Sequence, residues 1–155
     1  MKGRTIYAYT AGMIDGDGCI SLRKKTSPGR RGYIFGISVS VGSTDEWLCQ
    51  WLKMQFGSAI HAPRMKKSTW KQYYLWAIAD KKAYELLKLV KPYLQIKRQQ
   101  AEVCMLYQER RRNTGAGGKT NAEWALDEAD KVLMTKLNKK GSDQYTPDYS
   151  YLSKS

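Results

Sequence analysis

Between Tyr7 and Val41 the hydrophobic period changes once, from that of a helix to that of a strand, and this change limits the folds open to the chain. In TIYAYTAGMID, Ala8, Gly12 and Gly16 recur every fourth residue on one stripe while Tyr7, Ala11 and Ile14 occupy the neighbouring face, which predicts a helix. The small-residue stripe allows another helix to approach closely. From Cys19 the pattern alternates: Ile20 and Leu22 point one way, Ser21, Arg23 and Lys25 the other. SPGRRG supplies a turn, after which Tyr33, Phe35, Ile37, Val39 and Val41 alternate with Ile34, Gly36, Ser38 and Ser40. The first unit is therefore a helix running into a half-buried hairpin.

A similar unit follows. Ser43 or Thr44 is placed to cap a helix through Phe56, with Trp47, Leu48, Trp51 and Leu52 as its apolar stripe and Gly57 as its stop. Strands are expected over 59–66 and 70–78, joined near Lys67 to Thr69. Asp80 is placed to cap a third helix over 81–90, Pro92 breaks it, and a further helix runs over 96–111. The fold class is α+β with an antiparallel sheet. Residues 1–112 form the expected core, 113–120 a Gly-rich linker (NTGAGGK and the residue after it), and 121–155 a C-terminal helix over 122–137 with a tail.

Charge narrows the partner. With 27 Lys and Arg against 14 Asp and Glu, the 155-residue chain carries a formal +13, which favours a polyanion because Lys and Arg displace condensed counterions from phosphates into solution. No apolar run of membrane-spanning length occurs, so no membrane partner is expected. The apolar stretch 6–14 lacks a cleavage site and runs into Asp15 and Asp17, unlike a secretory signal; the expected location is intracellular, in a bacterial or phage cytoplasm or an organelle. Three dispersed cysteines, Cys19, Cys49 and Cys104, read as reduced core residues. The single histidine, His61, leaves any chemistry to carboxylates and cations.

Residues 10–18 read TAGMIDGDG, which resembles the signature of the LAGLIDADG homing endonucleases, with Thr10 and Met13 in place of its leucines and Gly16 in place of its second alanine. PYLQIKRQQA, residues 92–101, is similar to the family segment that ends in a catalytic-pocket lysine, here Lys97. The resemblance implies an αββαββα fold with a curved antiparallel DNA-binding sheet, here with an extra C-terminal helix, in an intron-encoded, metal-dependent DNA endonuclease. It also implies that Asp17 and the Gly16 carbonyl contact the metal ions and that Lys97 stabilises charge on the phosphate or acidifies the attacking water. Mg²⁺ is the expected ion, with Mn²⁺ able to replace it and Ca²⁺ supporting binding without cleavage. Family chains with one motif act as homodimers.

The residues read alone point the same way. A helix carrying Ala8, Ala11 and Gly12 can meet a symmetry mate, and Asp17, just after the helix, then gains a second carboxylate nearby across the two-fold axis. Asp15, inside the last turn, is expected to hydrogen-bond nearby backbone. A calcium loop beginning at Asp15 would place Cys19 where an oxygen ligand is needed and Thr26 where a Glu is needed, which speaks against it.

A β-ribbon fits the major groove of DNA. The alternation nominates Ser21, Arg23 and Lys25 on strand one, Ser38 and Ser40 on strand two, Arg64 and Lys66 on strand three, and Gln72 on strand four. Arg30, Arg31, Lys67 and Lys71 fall at hairpin tips or their shoulders, suited to phosphate. One departure from the family pattern stands out: where a polar Gln or Lys often ends the second strand, this chain has Val41, Gly42 and Ser43. Two other functions use the same features, an RNA maturase assisting intron splicing and a catalytically inactive DNA-binding regulator.

Overall fold

The computed structural model describes residues 2–29, 31–112 and 118–139. Arg30, linker residues 113–117 and the tail from 140 lie outside them. In chain order the elements are α1 (Lys2–Asp17), β1 (Gly18–Thr26), β2 (Tyr33–Ser43), α2 (Glu46–Phe56), β3 (Ala59–His61), β4 (Tyr74–Ala79), α3 (Asp80–Val90), a 3₁₀ turn (Lys91–Tyr93), α4 (Arg98–Arg112) and α5 (Asn121–Asn138). The strands form one antiparallel sheet in the order β1-β2-β4-β3.

The expected alternation sets the two faces of this sheet. Ile20, Leu22, Phe35, Ile37, Val39, Val41, Trp76 and Ile78 are buried against Ile14, Leu52, Leu87, Leu94, Cys104 and Tyr107 of the helical layer. The register puts Cys19, Ser21 and Arg23 beside Ser40, Ser38 and Gly36, and Ala77 and Ala79 beside the same two serines, all on the opposite, open face. Cys19 is thus exposed rather than in the core, whereas Cys49 and Cys104 are buried. Burial pushes the Cys104 thiol up to about 12.

Local chemistry moves several expected boundaries. Asp45, not Ser43 or Thr44, caps α2, accepting from the Trp47 N–H at 3.0 Å, while Ser43 Oγ accepts from the Asp45 N–H at 2.9 Å. β3 pairs only as far as His61 and β4 begins only at Tyr74; Pro63, which has no N–H to donate, lies just beyond the ladder. Asp80 does not cap α3 with its side chain; it begins the helix at φ 53° and turns its carboxylate toward cations.

α5 packs on the core. Thr120 and Glu123 close a capping box at its start, and Met134 is buried near its end. Along its length Lys131 Nζ donates to the Leu22 carbonyl at 2.7 Å and Asn138 Nδ2 to the Ile20 carbonyl at 2.8 Å. β1 is an edge strand, and these bonds occupy outward carbonyls that would otherwise invite another strand. The Arg110 guanidinium ties α4 to Asp127 and Asp130 of the same helix.

Candidate active site and nucleic-acid interface

The sequence turns sharply where α1 gives way to β1, and Gly18 makes the turn possible. A Cβ there would lie 2.6 Å from the Ile14 Cα, a backbone atom that cannot move aside. The last turn of α1 is then held by residues 95–97, distant in sequence. Asp15 accepts from the backbone N–H groups of Gln95 at 2.7 Å, Ile96 at 3.2 Å and Lys97 at 2.9 Å. In return Lys97 Nζ donates to the carbonyls of Ile14 at 2.7 Å and Asp15 at 2.9 Å. An ammonium at a helix C-terminus meets carbonyls that lack intrahelical partners, and its charge is attracted by the negative end of the helix dipole. Lys97 is thus fixed at the motif, and Asp15 bonds backbone as its position suggested.

Asp17 is the last residue of α1 rather than the residue after it, and its carboxylate is exposed. Among the described residues no group of three or more His, Cys, Asp or Glu gathers to hold a metal ion. An ion at Asp17 would need oxygens from backbone, water, phosphate or a second copy. The α1 stripe is open: Ala8, Gly12 and Gly16 are exposed, and a Cβ on either glycine would meet nothing within 4 Å. Ala11 is fully buried in the chain's own core, because the 3.6-residue period turns it with Ile14 toward the sheet. It therefore leaves the candidate interface.

On the open face, Arg23 is exposed and Ser21 half-buried. Ser38 and Ser40 lie on the same face but keep only 6% and 7% of their surface, since a central strand is crowded from both sides. They form a floor rather than a reading edge. Two glycines of β2 flank them, and each is overlaid by a side chain from elsewhere. A Cβ on Gly36 would fall 2.7 Å from both Asp80 Oδ1 and Lys25 Cε; one on Gly42 would fall 1.6 Å from the Tyr73 hydroxyl. Lys25, nominated for DNA, is paired with Asp80 at 2.6 Å, and Arg111 reaches the same carboxylate at 3.4 Å.

Other nominated cations fall in loops. Arg64, Lys66 and Lys71 are exposed between β3 and β4, not on strands, and Lys67 stands over the Trp70 ring. Gln72 also lies outside β4; its amide donates to the carbonyls of Pro63 and Tyr73 and braces that loop. Arg31 is drawn to the start of α5, donating to Asn121 at 3.3 Å with its guanidinium over the Trp124 ring. Asp80 and Tyr73 escaped nomination. The signal available was an isolated glycine in each alternating run of β2, which marks close approach by another group.

No helix among the described residues is long and apolar enough to cross a membrane. No family model matches the chain, and a search of curated proteins finds no match. Solved structures do match. The chain is similar to the homing endonuclease I-CvuI in complex with its target in the presence of 2 mM Ca, at TM-score 0.68 and 16% identity over 99% of this chain and 93% of that one. It is similar to the archaeal intron-encoded homing endonuclease I-Vdi141I complexed with DNA, at TM-score 0.70 and 16% identity over 97% and 96%. The I-LtrWI LAGLIDADG homing endonuclease bound to target DNA aligns at TM-score 0.58 and 13% identity, over 89% of this chain and 44% of that one. The chain has the fold of the LAGLIDADG homing endonucleases, α+β with a four-stranded curved antiparallel sheet, as residues 10–18 and 92–101 implied.

Proposed function

We propose that the chain is a site-specific homing endonuclease of the LAGLIDADG type, making a double-strand break in a long pseudo-palindromic DNA target as a homodimer. The observation that carries this reading is the clamp between Asp15 and Lys97. It fixes the end of α1, and with it Asp17, beside the open face of a sheet in a strongly basic chain. Nothing in the packing of the core requires Asp17, which is exposed. A carboxylate beside DNA phosphates costs electrostatic energy unless a cation stands between them.

The donor set fits Mg²⁺, which takes one or two carboxylates and fills its remaining positions with water and phosphate oxygen. Asp17 and the Gly16 carbonyl would hold the ion. Bound there, Mg²⁺ supplies an activated water and charge stabilisation at the leaving oxygen. Lys97 is held at the adjacent carbonyls and would bring a compact positive charge beside the same phosphate. Arg23 and the loop cations Arg64, Lys66 and Lys71 would contact DNA, with Arg suited to guanine and lysine to phosphate. Two strands need two sites, and the exposed Ala8, Gly12 and Gly16 stripe offers the surface for a second copy.

Selection of sites from a randomised DNA library with Mg²⁺, repeated with Ca²⁺, tests the reading. Cut sites in the first and retained, uncut sites in the second support the nuclease. Binding without cutting in both identifies a regulator, and enrichment of RNA alone identifies a maturase. Dimerisation is tested separately: Gly12→Leu is expected to yield monomer in sedimentation, and a surviving dimer removes the stripe from the interface.

A further inference from the structure

We infer that Tyr73, the residue before β4, supplies the polar contact to the scissile phosphate that the end of β2 lacks. The inference rests on the nuclease reading above and concerns how its site is completed. At the end of β2 no side chain of the strand itself is available. Val41 is fully buried, Gly42 has no side chain, and Ser43 falls on the same face as Val41, opposite to that of Gly42.

The register shows what takes their place. Gly18 pairs with Val41, so Gly42 is the residue of β2 next to the junction that carries Asp17. Gly42 pairs with Leu75, which puts Leu75 on the open face, and Tyr73, two residues earlier, falls on that face too. Its phenol reaches back over Gly42: a Cβ there would lie 1.6 Å from the hydroxyl oxygen and 2.3 Å from the ring carbon bearing it. The hydroxyl therefore occupies the volume that a side chain at position 42 would fill. Tyr73 is not enclosed, keeping 37% of its residue surface. A phenol can donate to a phosphate oxygen without adding charge, and a glycine at position 42 is the condition for its being there.

The experiment uses the full chain and a site obtained by the selection above. Tyr73→Phe keeps the ring over Gly42 and removes only the hydroxyl. Its thermal midpoint is expected to match the parent protein, while single-turnover cleavage in Mg²⁺ falls by about tenfold or more, the scale of losing one positioned donor. In EDTA, affinity for the natural duplex is expected to fall by about threefold to tenfold. That difference should vanish on a duplex with methylphosphonates at the central phosphates. Gly42→Ala, which displaces the phenol but leaves its hydroxyl in the chain, should reproduce both losses.

Unchanged cleavage together with unchanged affinity in Tyr73→Phe overturns the inference and leaves the nuclease reading standing. If the parent protein binds its site but cuts nothing, the nuclease reading fails by itself. The EDTA comparison then still decides for Tyr73: a loss confined to the natural phosphate supports the contact, and equal affinity on both duplexes overturns it.

Discussion

Lys97 and Lys131 make the same bond in two places, each donating from its ammonium to backbone carbonyls at about the same distance. Lys97 binds the last turn of α1, where the acceptors are the carbonyls of a helix end and the neighbour is Asp17. Lys131 binds Leu22 on the edge of β1, where the acceptor belongs to a strand with no further strand beside it. At the first place the bond gathers charge at a site; at the second it closes a surface. The strand that leaves the candidate active site is the one that α5 seals along its outer edge. On the proposed function, placement of chemistry and protection of the sheet are separate tasks done by separate parts of the chain.

Substitutions can break this division. The largest effect is expected from Asp17→Asn, which should lower Mg²⁺-dependent cleavage by about a thousandfold, roughly 4 kcal/mol of transition-state stabilisation. Thermal stability should be unchanged, because the carboxylate is exposed, and the variant should still bind DNA; full cleavage by the variant would remove Asp17 from the mechanism. Met134→Ala empties a fully packed position under α5 and is expected to cost about 3 kcal/mol in denaturant unfolding. The cleavage rate of the folded fraction should stay intact. If that rate falls with stability, α5 is coupled to the site and the division fails.

Asp15→Ala tests the boundary between the two tasks. Three backbone N–H groups lose their acceptor, which should cost about 2 kcal/mol of stability. Cleavage should fall as well, since Lys97 is no longer held against α1. A variant that loses stability but keeps its rate would show that Lys97 is placed by its own bonds alone. The smallest effect is expected from Lys131→Met, about 1 kcal/mol of stability with normal cleavage, because the aliphatic stem is kept and only the donor is lost. Association beyond that of the parent protein, read by sedimentation of both at matched concentrations, would sharpen the comparison by showing that the β1 edge needs its cover.

Much of this was legible because repeating patterns encode it. Alternation named Ile20, Leu22, Phe35, Ile37, Val39 and Val41 as one face, and each is buried. The four-residue stripe named Ala8, Gly12 and Gly16 as one exposed line along α1. The same periodicity placed Ser38 and Ser40 on the open face but not how deeply, since depth depends on the strands that flank β2. The 59–66 and 70–78 runs looked like strands by composition, yet the ladder stops at His61 and resumes its pairing at Tyr74. A propensity does not say where a partner strand ends.

The sequence by itself determined the order of helices and strands, the face each turns to the core, the basic charge, and the motif that places Asp17 at the end of a helix. Periodicity and local chemistry carry those features within a few residues. Only the tertiary structure decided that Asp15 bonds residues 95–97, that Lys97 returns to Ile14 and Asp15, that Asp80 neutralises Lys25, and that Tyr73 lies over Gly42. Each joins groups far apart in the chain, whose meeting depends on how the sheet and helices pack rather than on any neighbour in sequence.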